Sequence, residues 1–178
     1  IVVFIFYAGC RKIAIMIVLA GLLFAVLNPT LRAAISFQDR ASYNRIILWD
    51  HSWKYLSRSP SNFVFGTGLR QFYDKVEKPV HDWKKMNRQI YPHNIFLNFW
   101  TETGLLGMIS FVALFIYLFY LSNKVKRKDL ILGTTFLSLL VIVLVQGLVD
   151  VPYFKNDLSF LFWIFSALII SRYSVEYI

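Results

Sequence analysis

Four apolar runs, separated by polar stretches of very unequal length, organise this chain. Residues 13–27, 95–121, 130–149 and 158–170 are almost wholly apolar. None alternates as a barrel strand would, so each predicts a helix. A crossing helix needs about 20 residues for a hydrocarbon layer of about 30 Å. The first run reaches that length only if extended at either end. The opening run, residues 1–8, is too short to cross and reads as the tail of an earlier helix, so a longer parent protein is expected. A secretory signal is disfavoured, because Arg11-Lys12 follows this run instead of preceding it and no small-residue cleavage site comes after. The expected fold is an all-α membrane protein. It has about four transmembrane helices plus the end of an earlier one, in a single membrane domain over residues 1–178. A large, partly helical loop spans residues 28–92.

Composition agrees. Of 178 residues, 57% are hydrophobic and 16% charged, with a mean hydropathy of +0.55. That profile excludes an ordinary soluble domain. Cys10 is the single cysteine, which excludes a disulfide framework and a thiolate metal site. Charge sets the orientation. Arg11-Lys12 flanks the first run, and Lys124, Lys126, Arg127 and Lys128 fill the turn between the second and third. Short loops rich in Lys and Arg stay cytoplasmic, which places residues 28–92 and 150–157 on the other side. The long loop carries eleven Lys and Arg against five Asp and Glu, a balance of 11 − 5 = +6. Such a surface suits phosphates, on lipid headgroups or lipid-linked diphosphates. A merely solvated basic loop is the plainer alternative. Nucleic acid is not an expected partner, since an extracytoplasmic loop seldom meets it.

Within the loop, Ile46, Trp49, Trp53 and Leu56 recur at helical spacing, predicting an interfacial helix over residues 42–57 that Ser59-Pro60 ends. Gly66-Thr67-Gly68 predicts a tight turn, or less readily a backbone cradle for phosphate. Residues 73–89 read as a polar, irregular flap. The start of the second span is unusual: YPHNIFLNFWTETGLLG, residues 91–107. On a helix Asn94, Asn98 and Thr101 fall within roughly 60° of one another, with Glu102 at their edge. Such groups inside a membrane boundary are costly unless they face a cavity or pair with cations. His93 sits at the junction with the loop. Singly each has a structural explanation, as a helix-start residue or an Arg partner; together they favour a site.

Three strings carry a family resemblance: Arg45 and Trp49, SPSNFVFGTG (residues 59–68), and HNIFLNFWTETGLLG (residues 93–107). In these, and in the order of loop, His-Asn helix start and hairpin, the chain resembles the O-antigen ligase family over about residues 40–165. That family groups lipid A core ligases, O-antigen polymerases and protein O-oligosaccharyltransferases. Members have around twelve spans, which makes this chain a C-terminal portion; a further upstream periplasmic arginine of the family has no match here. The resemblance implies a multi-pass protein of the bacterial inner membrane, with its site facing the periplasm. It also implies transfer of a glycan from a polyprenyl-diphosphate carrier to a hydroxyl of lipid A core, a polymer or a protein, in O-antigen-like polysaccharide synthesis. By the same resemblance Arg45, and less directly Arg70, hold phosphates. His93 positions or deprotonates the acceptor hydroxyl, and Glu102 orients His93 or offsets an arginine. Asn94, Asn98 and Lys155 are the further expected substrate contacts. No cofactor is implied, and neither nucleotide-binding nor metal-ligand spacing occurs, which fits metal-independent transfer.

Two other classes compete: a transporter whose basic loop gates anions, and a non-catalytic subunit that binds lipid phosphates. Polarity in the third and fourth spans is confined to Thr134, Thr135, Ser138, Gln146, Ser159 and Ser166, so chemistry at one membrane face fits better than a permeation path. The orientation is directly testable. Cysteine introduced at position 75 is expected to react with a membrane-impermeant maleimide added from the periplasmic side, and cysteine at position 126 to resist it. The reverse pattern would overturn the orientation.

Overall fold

A computed structural model describes residues 5–6, 9–36, 38–80, 89–152 and 156–177, and among these it is all-helical. Seven α-helices follow in order: α1 Arg11–Leu27, α2 Pro29–Ile35, α3 Arg40–Leu56, α4 Pro60–Phe65, α5 Ile95–Lys126, α6 Leu130–Gly147 and α7 Asn156–Tyr177. A π turn, Tyr73–Glu77, and a 3-10 turn, Lys78–Val80, lie between α4 and α5. Three helices among the described residues are long and apolar enough to cross a membrane: Ile95–Lys126, Leu130–Gly147 and Asp157–Ser174. The expected span over residues 13–27 is not among them. Its helix α1 has 17 residues, about 25 Å at the usual rise. Asn28 explains why it does not extend. The Asn28 N–H still bonds to Phe24 O, but its Oδ1 accepts from Thr30 and Leu31 N–H at 3.0 and 3.2 Å. It thus caps α2, with Pro29 at that helix's first position.

The chain divides into two compact units. One comprises Ile1–Asp39, Phe115–Leu144 and Asn156–Ile178. Its buried side chains are mostly apolar, Phe136, Leu137 and Ile169 among them, with Ser122, Thr134, Ser138 and Ser166 also buried, and Phe115 stacks on Phe162 with centroids 5.4 Å apart. Gly133 lets α6 start directly against the Lys126 backbone, and Asp129 Oδ1 accepts from Leu132 N–H at 2.9 Å to cap it. Ile116, Ile131 and Phe160 are each more than 60% exposed. Such a surface is suited to lipid tails and ill suited to water.

The second unit, Arg40–Leu114 with Val145–Lys155, holds the long loop. Leu48, Phe72 and Val76 form its small core, with Tyr55 packed against them. The expected flap over residues 73–89 is therefore corrected in its first half. Residues 73–80 coil into the two turns and bury Tyr73, Val76 and Glu77, because Phe72 and Val76 supply an anchor to α3. Residues 81–88 lie outside the described residues.

Helix α5 contains a break. Gly104 has φ 77° and ψ −177°, far from helical values. Twelve residues of straight helix advance about 18 Å, yet the rings of Phe99 and Phe111 stack with centroids 4.0 Å apart. Phe96 also meets Phe111 edge-on, at 6.4 Å. The chain thus folds back at Gly104. Residues 95–103 form a short arm laid against the start of a second arm, 105–126, which rises about 33 Å and alone suffices for a crossing. The expected span over residues 95–121 falls within the candidate helix Ile95–Lys126, and its polar first turns belong to the short arm before the break.

Backbone contact makes the fold-back possible. A Cβ at Gly104 would strike the Val64 carbonyl oxygen and the Phe65 backbone; one at Gly66, itself at φ 67°, would strike the carbonyl oxygens of Trp100 and Thr101. The break leaves Thr101 O without its usual helical donor, and Thr67 supplies two: its backbone N–H and its Oγ1, the latter at 2.9 Å. Trp100 Nε1 donates to Phe63 O at 2.8 Å, and Lys75 Nζ to Thr67 O at 2.6 Å. In the Gly66-Thr67-Gly68 turn the Thr67 amide therefore serves this seam and not a phosphate. Gly104→Ala and Gly66→Ala combine left-handed strain with overpacking, and each is expected to cost about 2–6 kcal/mol. Gly21, where a Cβ meets nothing within 4 Å, is the control, since alanine there should be neutral or stabilising. Thermal unfolding in detergent distinguishes them; unchanged stability in Gly104→Ala would sink this account of the seam.

Candidate functional site

The site is built on one face of α3. Residues 41, 44, 45 and 48 recur at helical spacing, so Ala41, Asn44, Arg45 and Leu48 line one side of a cavity of about 180 Å³. Gln89 and His93 line the other. Trp49, one residue beyond this face, donates from Nε1 to Pro92 O at 2.9 Å and ties the approach to His93 onto the same helix.

His93 adopts φ 52°, a left-handed conformation uncommon outside glycine. Directly after it Asn94 starts the short arm: its Oδ1 accepts from Phe96 and Leu97 N–H, each at 3.1 Å. Such a cap contributes about 1 kcal/mol. Asn94 Nδ2 also donates to Leu148 O at 3.1 Å, and Gly147 leaves room for Ile95 to lie against it. Two contacts thus bring the end of α6 to the start of α5 and deliver Asp150. Its Oδ1 lies 3.2 Å from His93 Nδ1, with the two side chains about a quarter exposed. The other ring nitrogen, Nε2, lies 2.9 Å from Gln89 Oε1, an acceptor to which a protonated Nε2 would donate, and Tyr91 packs edge-on to the ring at 5.1 Å. Gln89 is itself anchored by its backbone N–H, which donates to both carboxylate oxygens of Glu77 at 3.1 and 2.9 Å. Glu77 is fully buried.

The arrangement has a definite chemical sense. A carboxylate at Nδ1 favours the tautomer protonated there, and Nε2 is then the basic atom once the Gln89 amide turns its N–H, in place of Oε1, to the ring. Arg45 is half-buried and makes no ion pair among the described residues. Its planar donor fork is open to a phosphate.

The other expected site residues are placed differently. Glu102 is 6% exposed and meets the backbone N–H and the charge of Arg70, which stands at φ 59°. Of its two expected roles, the arginine partnership is the one seen; the ring partners of His93 are Asp150 and Gln89. Asn94 is occupied as a cap and a tether. Asn98 is fully buried, and neither amide atom has a hydrogen-bond partner among the described residues. Lys155 lies outside the described residues. Sequence reading did not single out Gln89, and it placed residue 150 only within an extracytoplasmic turn, 150–157. The available signal was topological: residue 150 falls on the same expected membrane face as His93. Among the described residues, no three His, Cys, Asp or Glu gather as a metal site.

Against this geometry, the sequence model of the O-Antigen ligase family matches residues 1–112, which include Arg45, Gln89 and His93. Neither curated proteins nor solved structures yield a match.

Proposed function

The chain belongs to the O-antigen ligase family, and on that footing we propose that it moves a glycan from a polyprenyl-diphosphate carrier to an acceptor hydroxyl at the periplasmic face. The observation that carries this reading is the shared cavity of Arg45 and His93, with Asp150 on the far side of the imidazole. Arg45 binds the diphosphate bidentately and stabilises the charge that develops as the glycosidic C–O bond breaks. His93 Nε2 accepts the proton of the acceptor hydroxyl as its oxygen bonds to the anomeric carbon. Asp150 holds the ring in the required tautomer and offsets the imidazolium that forms. The bond pair leaves on the diphosphate, already a good leaving group. Arg70 takes no direct part in this scheme: with Glu102 it braces the short arm that carries His93 at its head. The acceptor, whether lipid A core, a growing polymer or a protein, is read from the product.

The test uses the full-length protein in cells lacking their own copy, scoring surface glycan and its attachment. His93→Ala is expected to leave membrane insertion intact and lower transfer about 10²–10⁴-fold, the range of one general acid–base group. Arg45→Lys should lose most activity because an ammonium cannot form the fork. His51→Ala is the control and should transfer normally. Wild-type transfer by His93→Ala, or equal damage in His51→Ala, would overturn the assignment.

A further inference from the structure

The basic nitrogen of His93 is already covered. With Nδ1 facing Asp150, Nε2 is the atom that must receive a proton, and the Gln89 carboxamide sits on it at 2.9 Å. Whichever end of that amide faces the ring, an incoming hydroxyl cannot share the position. Gln89 also lines the cavity beside Arg45. Its main chain is fixed independently of its side chain, since the bonds to the buried Glu77 come from the backbone N–H. Rotation of the side chain alone would uncover Nε2 without disturbing that anchor.

We propose that Gln89 is a specificity-determining residue, one that withholds His93 from water and yields it to the glycan acceptor. This rests on the transfer reaction proposed above. Any transferase with a good leaving group faces hydrolysis as a competitor. Water oxygen would bond to the anomeric carbon, the C–O bond to the diphosphate would break with its electron pair on phosphate, and the water proton would pass to Nε2. The products are free reducing glycan and carrier diphosphate. Water offers only its own hydrogen bonds in exchange for the Gln89 contact, so it gains nothing by displacing it. An acceptor is bound through the rest of its surface, and that binding energy drives Gln89 off the ring. Gln89 thereby makes activation of Nε2 conditional on an occupied acceptor site.

The experiment uses full-length protein in proteoliposomes with a diphosphate-linked glycan, measuring free glycan without acceptor and transferred glycan with it. Wild type is expected to transfer and to release little free glycan. Gln89→Ala keeps the backbone N–H that Glu77 holds. It is expected to raise free-glycan release about tenfold, the equivalent of one hydrogen bond, and so to lower the ratio of transferred to released glycan. Gln89→Asn, too short to reach the ring in the same pose, should behave alike. Adding His93→Ala to either variant should abolish the release. If wild type transfers but neither variant releases more free glycan, the proposal fails while the transfer reading stands. It fails equally if both variants lose transfer and hydrolysis together, which would make Gln89 a residue that assembles the site. Absence of transfer in wild type with every acceptor class would instead sink the underlying reaction.

Discussion

Two glycines allow two stretches of backbone to touch, and the architecture of the second unit follows from that contact. Gly66 presses on the carbonyls of residues 100 and 101, and Gly104 presses on residues 64 and 65. Neither position tolerates a Cβ, and both take left-handed angles that other residues resist. The contact is stable because it satisfies the polar groups that the break exposes. Thr101 O, deprived of a helical donor, receives two from Thr67. A buried unpaired carbonyl would cost about 1–3 kcal/mol, so chain reversal and hydrogen bonding are solved by one residue pair.

The placement of His93 depends on that reversal. Once residues 95–103 lie back against 105–126, the head of the short arm carries His93 to the Arg45 face of α3. Asn94 then fixes two things with one side chain, the start of the arm and the position of Leu148. The ring of His93 is consequently held on both sides, by Gln89 four residues before it and by Asp150 far along the chain. The Asp150 contact at Nδ1 remains when substrate arrives and limits the rotational freedom that the imidazole has left to lose, which favours catalysis by pre-organisation.

Much of this was legible in the sequence, for physical reasons. Apolar runs predict helices because lipid leaves the backbone no other way to satisfy itself, and helices over residues 95–126 and 130–147 follow that rule. Helix α1 extends the apolar run 13–27 by two residues at its start and by none past Leu27, because Asn28 serves two helices at once, which a hydropathy reading does not register. The fold-back at Gly104 was invisible for a related reason. Hydropathy averages composition, and Phe99 and Phe111 look alike whether the chain between them is straight or reversed. His93 stood out because a polar group at the head of an apolar run is anomalous. Asp150 did not, since the sequence ties position 150 to position 93 only by their shared expected membrane face, which many other residues also share. The Gly66-Thr67-Gly68 string was ambiguous for want of a partner: glycines that admit a phosphate and glycines that admit another backbone look the same.

The fold-back also bears on how the chain enters its membrane. The insertion machinery reads hydrophobicity along an emerging segment, and residues 95–121 offer it more apolar length than one crossing requires. Two registers compete, one taking in the short arm and one beginning beyond Gly104. A charged group at mid-span costs about 2.5 kcal/mol or more, and Glu102 and Asn98 lie within the short arm, with Asn94 as its cap. Sliding the chain so that these residues enter hydrocarbon is penalised, and the later register wins. In a chain inserted as its apolar runs predict, the residues that look misplaced for a membrane helix would thus mark the register, leaving residues 95–103 free to turn back.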